Sequence, residues 1–451
     1  GTNNLDAQLG DGLDARLLAG ITARGTIDDL ERARTVLVWA PDLKEELPVL
    51  YLRVRRAATE LGARLIVVHP RQTGLDRVAA HTIRYRPGAG TELLRRLADG
   101  SGDLAEARRA LGEGPVVAIV GRPGAGDDPR LAEAVLAFAA GLPGATLLPV
   151  TRRSNVYGAA DMGLDPGLLP GRVAAPAGTG GRDAAGIIDG LIAGEVAGLV
   201  LLGADPVADD REPARAAAAL EAASFTVAIG LFLDESAAMA DVVLPALGFA
   251  EVEGTVTNLE GRVQKVNRLL PGPAGARPTH EILEDIARRM GGSIGAASAE
   301  ALAAEMAATA PAYAGITWEA LSWGEGRRGI VAPGPAGSQP LVHAPEDHAP
   351  PPVGRDLVLH LARVLYDQGT LTQAGPSLAK LARPAAAHVH PEDATRFGIP
   401  AGATVRVTGS GGSVELPAVF DPSLVAGTVY LPLHCGASIG AGLEITMEAV
   451  S

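Results

Sequence analysis

Residues 241–264 read DVVLPALGFAEVEGTVTNLEGRVQ. Val242, Val243 and Leu244 form a short, mostly β-branched apolar run, and Pro245 ends it because proline has no N–H to offer a neighbouring strand. Gly254 permits a turn that Thr255 and Asn258 are placed to hydrogen-bond. The stretch therefore predicts a buried strand followed by a tight loop. Working back along the chain, strands are expected at 225–229 and 198–202, the latter ending in Gly203-Ala204-Asp205-Pro206, with a helix at 184–192 before them. Residues 231–236, Asp234 among them, form a polar crest after the 225–229 strand. Such alternation predicts an open parallel sheet, and these sheets bind ligands beyond the carboxyl ends of their strands. Forward of the opening stretch a helix is expected over 279–289, with Thr279 as its N-cap and Glu281 and Glu284 in its first turns.

The first half of the chain repeats the alternation in Rossmann-like units: strands at 35–39, 64–69 and 116–120, helices at 45–61 and 131–140. Residues 152–171 are loop-rich. Residues 333–352 are rich in proline and glycine without apolar periodicity, and read as a linker. From residue 386 onward short strands with glycine turns replace the alternation, at 404–407, 413–416 and 427–431, and predict a small β-barrel.

Composition narrows the function. At 451 residues, 47 % hydrophobic and 20 % charged, the chain is globular and long enough for several domains. A net charge of −13 argues against a nucleic-acid partner, which needs concentrated Lys and Arg. No apolar run approaches the roughly 18 residues of a membrane span, and no signal-peptide pattern opens the chain. Membrane contact is therefore expected only through partners. Cys435 is the single cysteine, and one thiolate holds neither an iron–sulfur cluster nor a structural zinc. His388 and His390 are the nearest metal-like pair, but Pro391-Glu392-Asp393 after them reads as a helix start. His434 precedes Cys435 in what reads as a strand end, where adjacent side chains diverge and form no dyad. Two glycine-rich stretches remain. Gly121-Arg122-Pro123-Gly124-Ala125-Gly126 matches no phosphate fingerprint and reads as a loop. Gly178-Thr179-Gly180-Gly181 precedes a helix, whose N-terminal N–H groups suit a phosphate, although no second signal supports one.

These motifs resemble the molybdopterin oxidoreductase superfamily. There a strand reading A-D-V-V-L-P precedes E-x-x-G-T-x-x-N, as do residues 240–245 and Glu251 to Asn258 here. The ending Asn258-Leu259-Glu260-Gly261-Arg262-Val263-Gln264 resembles the respiratory complex I branch, whereas catalytic branches usually read N-x-E-R-R. The opening Gly1-Thr2-Asn3-Asn4-Leu5-Asp6 resembles the start of the superfamily's inserted α/β domain, where R-x-C-H soon supplies a metal-ligating cysteine. Here AQLGDGL follows, so Gly12 falls at that place without a donor. Asp11 has an oxygen to offer, but its flanking glycines read as a flexible turn. The pattern H-P-E-D-A-x-x-x-G-I-x-x-G-x-x-V-x-V, from His390 to Val407, resembles the C-terminal pterin-dinucleotide domain.

The resemblance implies an α/β fold of Rossmann-like open parallel sheets plus a C-terminal β-barrel of double-psi type. It implies an inserted domain at 1–175, a second α/β domain at 176–330, linker and helices at 331–383 and the barrel at 384–451. It places Gly203, Asp205, Asp234, Gly254, Thr255 and Asn258 on a vestigial pterin cleft, expected to be empty of molybdopterin, with no catalytic or metal-binding residue. The implied role is a structural part of the large iron–sulfur subunit of NADH:quinone oxidoreductase, at the cytoplasmic side of a bacterial inner membrane. Its 2Fe-2S and 4Fe-4S clusters are expected in an upstream segment not present here, and flavin and iron–sulfur subunits are its expected partners. The alternative is the catalytic subunit of a molybdenum or tungsten pterin oxidoreductase such as formate dehydrogenase. A free-standing nucleotide-binding α/β protein is a third reading, which the barrel pattern opposes.

Overall fold

The computed structural model describes residues 2–10, 12–21, 24–176, 178–295, 298–333, 357–440 and 442–450. The chain forms two compact units, one of Gly1–Gly10, Asp14–Thr22 and Arg153–Ser338, the other of Asp11–Leu13, Ala23–Arg152 and Gln339–Ser451.

In the second of these, five parallel strands, β1 (Thr35–Trp39), β2 (Arg64–Val68), β3 (His81–Ile83), β4 (Val116–Val120) and β5 (Thr146–Pro149), lie in the order β3-β2-β1-β4-β5. Every residue of β1 and β4 is buried, as expected when helices cover both faces of a parallel sheet. The helix expected over 45–61 is two helices, Leu43–Glu46 and Pro48–Thr59, because Pro48 lacks the N–H that would continue the first. The strand expected to reach residue 69 stops at Val68, leaving His69 just beyond the sheet. Strand β3, three residues long, carries no pattern that periodicity can detect.

The other unit holds a short hairpin, β6 (Leu168–Leu169) with β7 (Val173–Ala174), and a parallel sheet of β8 (Gly198–Leu202), β9 (Phe225–Gly230) and β10 (Val242–Pro245), in the order β10-β9-β8. An antiparallel sheet follows from β11 (Gly254–Thr257), β12 (Arg262–Val266) and β13 (Ile330–Val331). Here the structure corrects the reading of the opening stretch. Gly254 is the first residue of β11 and Thr255 pairs with Lys265, so neither lies in a turn. The turn comes at Asn258 to Arg262, where Gly261 takes φ 76°. Thr279 is likewise the first residue of the helix Thr279–Arg289 and not its cap; Pro278 holds that position without a side-chain bond.

Six strands, β14 (Leu357–Ala362), β15 (Ala387–Val389), β16 (Thr404–Gly409), β17 (Gly412–Phe420), β18 (Thr428–Pro432) and β19 (Glu444–Ala449), close into a barrel in the order β14-β18-β15-β17-β16-β19. Leu359, Leu361, Val389, Val405, Val407, Val429 and Leu431 fill it. Strand β14 comes from the stretch read as linker and helices. All six of its residues are buried, so it shows no alternation to betray it. Residues 334–352 of the expected linker lie outside the described residues. The barrel belongs to the same unit as the five-stranded sheet, although the other unit intervenes in sequence. His434 and Cys435 sit in a helical turn, Leu433–Gly436, and not at a strand end. Among the described residues no helix is long and apolar enough to cross a membrane.

Candidate functional site

The carboxyl ends of β8 and β9 bring three of the six candidate residues together. Gly203 leaves β8 with φ 63°, a left-handed conformation that glycine adopts without strain. Asp205 then caps the helix Pro206–Asp209 by accepting from Ala208 N. The Ser236 hydroxyl donates to the same carboxylate at 2.6 Å and in turn accepts from Val207 N at 3.0 Å, which ties the two strand ends together. Asp234 caps the helix Glu235–Ala238 through Ala237 N at 2.8 Å. Burial pushes the Asp234 carboxyl up against that hydrogen bond, and the neighbouring charges of Asp205, Asp209 and Glu235 add to the rise.

Gly254, Thr255 and Asn258 belong to the β11–β12 hairpin. The Asn258 side-chain oxygen accepts from Glu260 N and Arg262 N, both at 3.0 Å, and its nitrogen donates to Glu260, so the amide closes its own turn. Thr257, which closes β11, is more deeply engaged. Its N–H donates to Asn155 Oδ1 at 2.8 Å, and its hydroxyl meets the Tyr313 hydroxyl at 2.7 Å. Tyr313 donates to Asp161, and Asp161 receives a two-pronged bond from the buried Arg172 guanidinium. Asn155 and Arg172 both hold positive φ, 61° and 62°. This loop-rich region has no apolar periodicity because its core is polar. Burial and the Asp161 charge raise the Tyr313 phenol far above its ordinary range.

The six candidates thus comprise two carboxylates and no cation, with the polar side chains of Asp234 and Asn258 bonded to their own loops and that of Asp205 shared between its own loop and Ser236. That set suits hydroxyl or amine donors and opposes a diphosphate. A groove of about 330 Å³ in the same unit, lined in part by Glu251, Arg268, Arg277, His280 and Glu281, includes none of them.

Both glycine-rich loops are filled by protein. Asp6 accepts from Ala184 N and Asp183 from Gly186 N, both at 2.8 Å, which are N–H groups a phosphate would need at the helix Ala184–Ile192, and just before the helix Asn4 Oδ1 accepts from Arg182 N at 2.9 Å. A Cβ on Gly181 would lie 1.6 Å from Asn3 O, so glycine here admits the opening segment. Burial raises the Asp6 carboxyl to about 6 in spite of these hydrogen bonds. In the other unit, Ala125 N donates to Leu361 O of β14 at 2.7 Å, and a Cβ on Gly124 would stand 2.9 Å from His360 Nδ1. The carbonyl of Gly12 accepts from Arg122 at 3.3 Å; Asp11 lies outside the described residues.

A cluster that sequence reading missed lies past the ends of β1 and β2. His69 meets His360 of β14 edge-on at 5.4 Å, and Arg71 lies 4.4 Å over the Tyr430 ring. His69 Nε2, Arg71 Nε, both His360 ring nitrogens and the Tyr430 hydroxyl have no hydrogen-bond partner among the described residues. Burial, reinforced by Arg71 and Arg152, pulls His360 down to about 3; burial and the charges of His360, Arg71 and Arg84 hold His69 well below its usual value. His388 approaches Asp421 at 3.4 Å while His390 caps the helix Pro391–Arg396, so the two histidines serve different elements. His434 pairs with Asp367 at 3.1 Å. Among the described residues no group of three His, Cys, Asp or Glu side chains could hold a metal ion.

Comparison with known proteins places this geometry in a lineage. The family model Molybdopterin oxidoreductase matches residues 172–289, and that of the molydopterin dinucleotide binding domain matches 357–447. The alpha subunit of NADPH-Fe(3+) oxidoreductase of Geobacter sulfurreducens is 30 % identical over 96 % of this chain and 58 % of its own. The G subunit of NADH-quinone oxidoreductase of Streptomyces coelicolor is 32 % identical over 95 % and 50 %. The alpha subunit of F420-dependent formate dehydrogenase 1 of Methanococcus maripaludis is 30 % identical over 65 % and 48 %. Among solved structures, acetylene hydratase from Pelobacter acetylenicus shares the fold with a TM-score of 0.63 at 14 % identity, covering 93 % of this chain and 73 % of that one. The chain spans about half the length of the curated relatives it matches. Residues 172–289 and 357–447 are thus domains of the molybdopterin oxidoreductase family, and over nearly all of its length the chain is similar to the G subunit of NADH-quinone oxidoreductase.

Proposed function

We propose that the chain is a non-catalytic structural part of the peripheral-arm electron-transfer subunit of an NADH:quinone oxidoreductase, with no pterin in the cleft at its strand ends. The observation that carries this reading is the use of Asp205, Asp234 and Asn258 to cap and close their own turns, beside an acidic cluster unsuited to a diphosphate. The E-G-R sequence at Glu260 to Arg262 and the lack of a soft donor at Gly12 point the same way. Iron–sulfur clusters then belong to polypeptide outside these residues, because Cys435 is the only thiol. The chain's physical contribution is a packed shell that keeps water from those clusters, since burial tunes reduction potential. Flavin and iron–sulfur subunits are its partners, at the cytoplasmic face of the membrane, with lipid contact left to other subunits.

A second reading, the catalytic subunit of a molybdenum or tungsten enzyme acting on a small substrate such as formate, draws support from the dinucleotide-domain match at 357–447 and from the formate dehydrogenase relative. Metal and pterin analysis of the native assembly separates the two. Iron and flavin without molybdenum, tungsten or extractable pterin is the expected result; near-stoichiometric metal and pterin per chain would establish the second.

A further inference from the structure

The two parallel sheets of this chain are covered differently. In the five-stranded sheet β1 and β4 are buried at every residue, so both of its faces are covered there. Among the described residues the β8–β9–β10 sheet has helices on one face only. Ile188 and Leu191 of Ala184–Ile192, with Ala216, Ala219 and Leu220 of Pro213–Ala222, pack with Leu199, Leu201 and Ala228. On the opposite face the register sets Val200 beside Val227 and Val242, with Phe225 at one end and Leu202 and Leu244 at the other. There Val200 is 56 % exposed, Phe225 51 %, Leu202 46 % and Val242 36 %; only Ile229, in the middle strand, is buried.

An all-parallel sheet with one bare apolar face is physically incomplete. Such sheets occur with both faces covered, and their strands read as continuous apolar runs because of it. Val200, Leu202, Phe225, Val227, Val242 and Leu244 are apolar residues suited to burial. Three strands at about 4.8 Å spacing and five residues at about 3.3 Å give a face of about 14 by 17 Å. That is the footprint of one or two helices about 10 Å across. The matched relatives carry about as much polypeptide again as they share with this chain. We infer that this face is the docking surface for a helical layer, apolar on the side that meets Val200 and Phe225, contributed by the region of the longer relatives that this chain does not match. Such docking follows from the fold and holds whether or not a pterin is bound.

The test uses the native assembly containing this chain. With Cys435 replaced by serine, Val200→Cys is compared with Val49→Cys, a valine 68 % exposed on the helix Pro48–Thr59 of the other unit. Maleimide is expected to label position 200 at least about tenfold more slowly than position 49, as for a site that opens only by local unfolding. A photo-crosslinking phenylalanine analogue at Phe225 is expected to join a peptide outside these 451 residues. Equal labelling at the two positions overturns the inference, as does crosslinking of Phe225 to a second copy of this chain. Neither readout depends on metal or pterin content, so failure here is distinguishable from failure of the electron-transfer reading.

Discussion

Acid should unfold the β1–β5 and barrel unit through its buried histidine pair before its carboxylates matter. His69 and His360 are 1 % exposed and meet edge-on, with three of their four ring nitrogens unpartnered among the described residues. Burial keeps both neutral in the fold, His360 down to about 3, whereas an unfolded histidine titrates near 6.5. A folded pKa below the unfolded one means stability is complete above about pH 6.5 and declines as pH falls, because only the unfolded chain takes up the proton. At pH 5.5 each histidine therefore costs about 1.4 kcal/mol, and the pair about 2.7 kcal/mol, relative to pH 7.5. The assay is urea unfolding at these two pH values, followed by Trp39 fluorescence in a Trp318→Phe, Trp323→Phe background. Trp39 is buried in β1 of the same unit and reports on it alone. His360→Phe keeps a ring of similar size and removes one titration, so the pH-dependent loss should fall to about 1.4 kcal/mol. An identical loss in parent and variant, or none in the parent, would refute the reasoning.

Three further outcomes follow from geometry. Gly124→Ala should lower stability by about 1–3 kcal/mol because the new methyl meets His360 Nδ1 and Leu361 O at 2.9 and 3.1 Å, and His360→Ala in the same chain should restore part of it. Arg172→Met leaves Asp161 buried without its counter-charge and should cost about 3–5 kcal/mol, read from urea unfolding; pairing it with Asp161→Asn should cost less than the single change. Asp205→Ala should cost about 2–4 kcal/mol, from the lost helix cap and the buried Ser236 hydroxyl left without its acceptor, while electron transfer through the native assembly stays at the parent rate, since the proposed role gives that carboxylate no ligand.

The parallel sheets were legible in the sequence because runs such as Val116 to Val120 are continuous and apolar, and their helices carry the complementary period. The barrel was partly legible, through β-branched strands and glycine turns, but β14 was not: six buried residues after a proline-rich stretch have no period to display. Of the candidate residues, Asp205 and Asp234 do stand together at strand ends, as topology required. The turn assigned to Gly254 was misplaced because the glycine that needs a left-handed backbone is Gly261, a few residues on. The His69–His360 contact was invisible, since it depends on residues far apart in sequence meeting at one strand end.

The hydrogen bond from Ala125 to Leu361 has a consequence for biosynthesis. A loop at the end of β4 docks on β14, yet the ribosome makes all of the other unit's sheets between them. At typical elongation rates of 5–20 residues per second, Leu361 emerges roughly 10–50 s after Ala125. During that interval the end of the five-stranded sheet waits with His69 and Gly124 uncovered, while the intervening unit has all of its own strands to fold with. The order of completion is then inside first and ends last. A nascent chain arrested before Leu357 should display an intervening unit whose strands are already paired and a five-stranded sheet whose end is still chaperone-accessible.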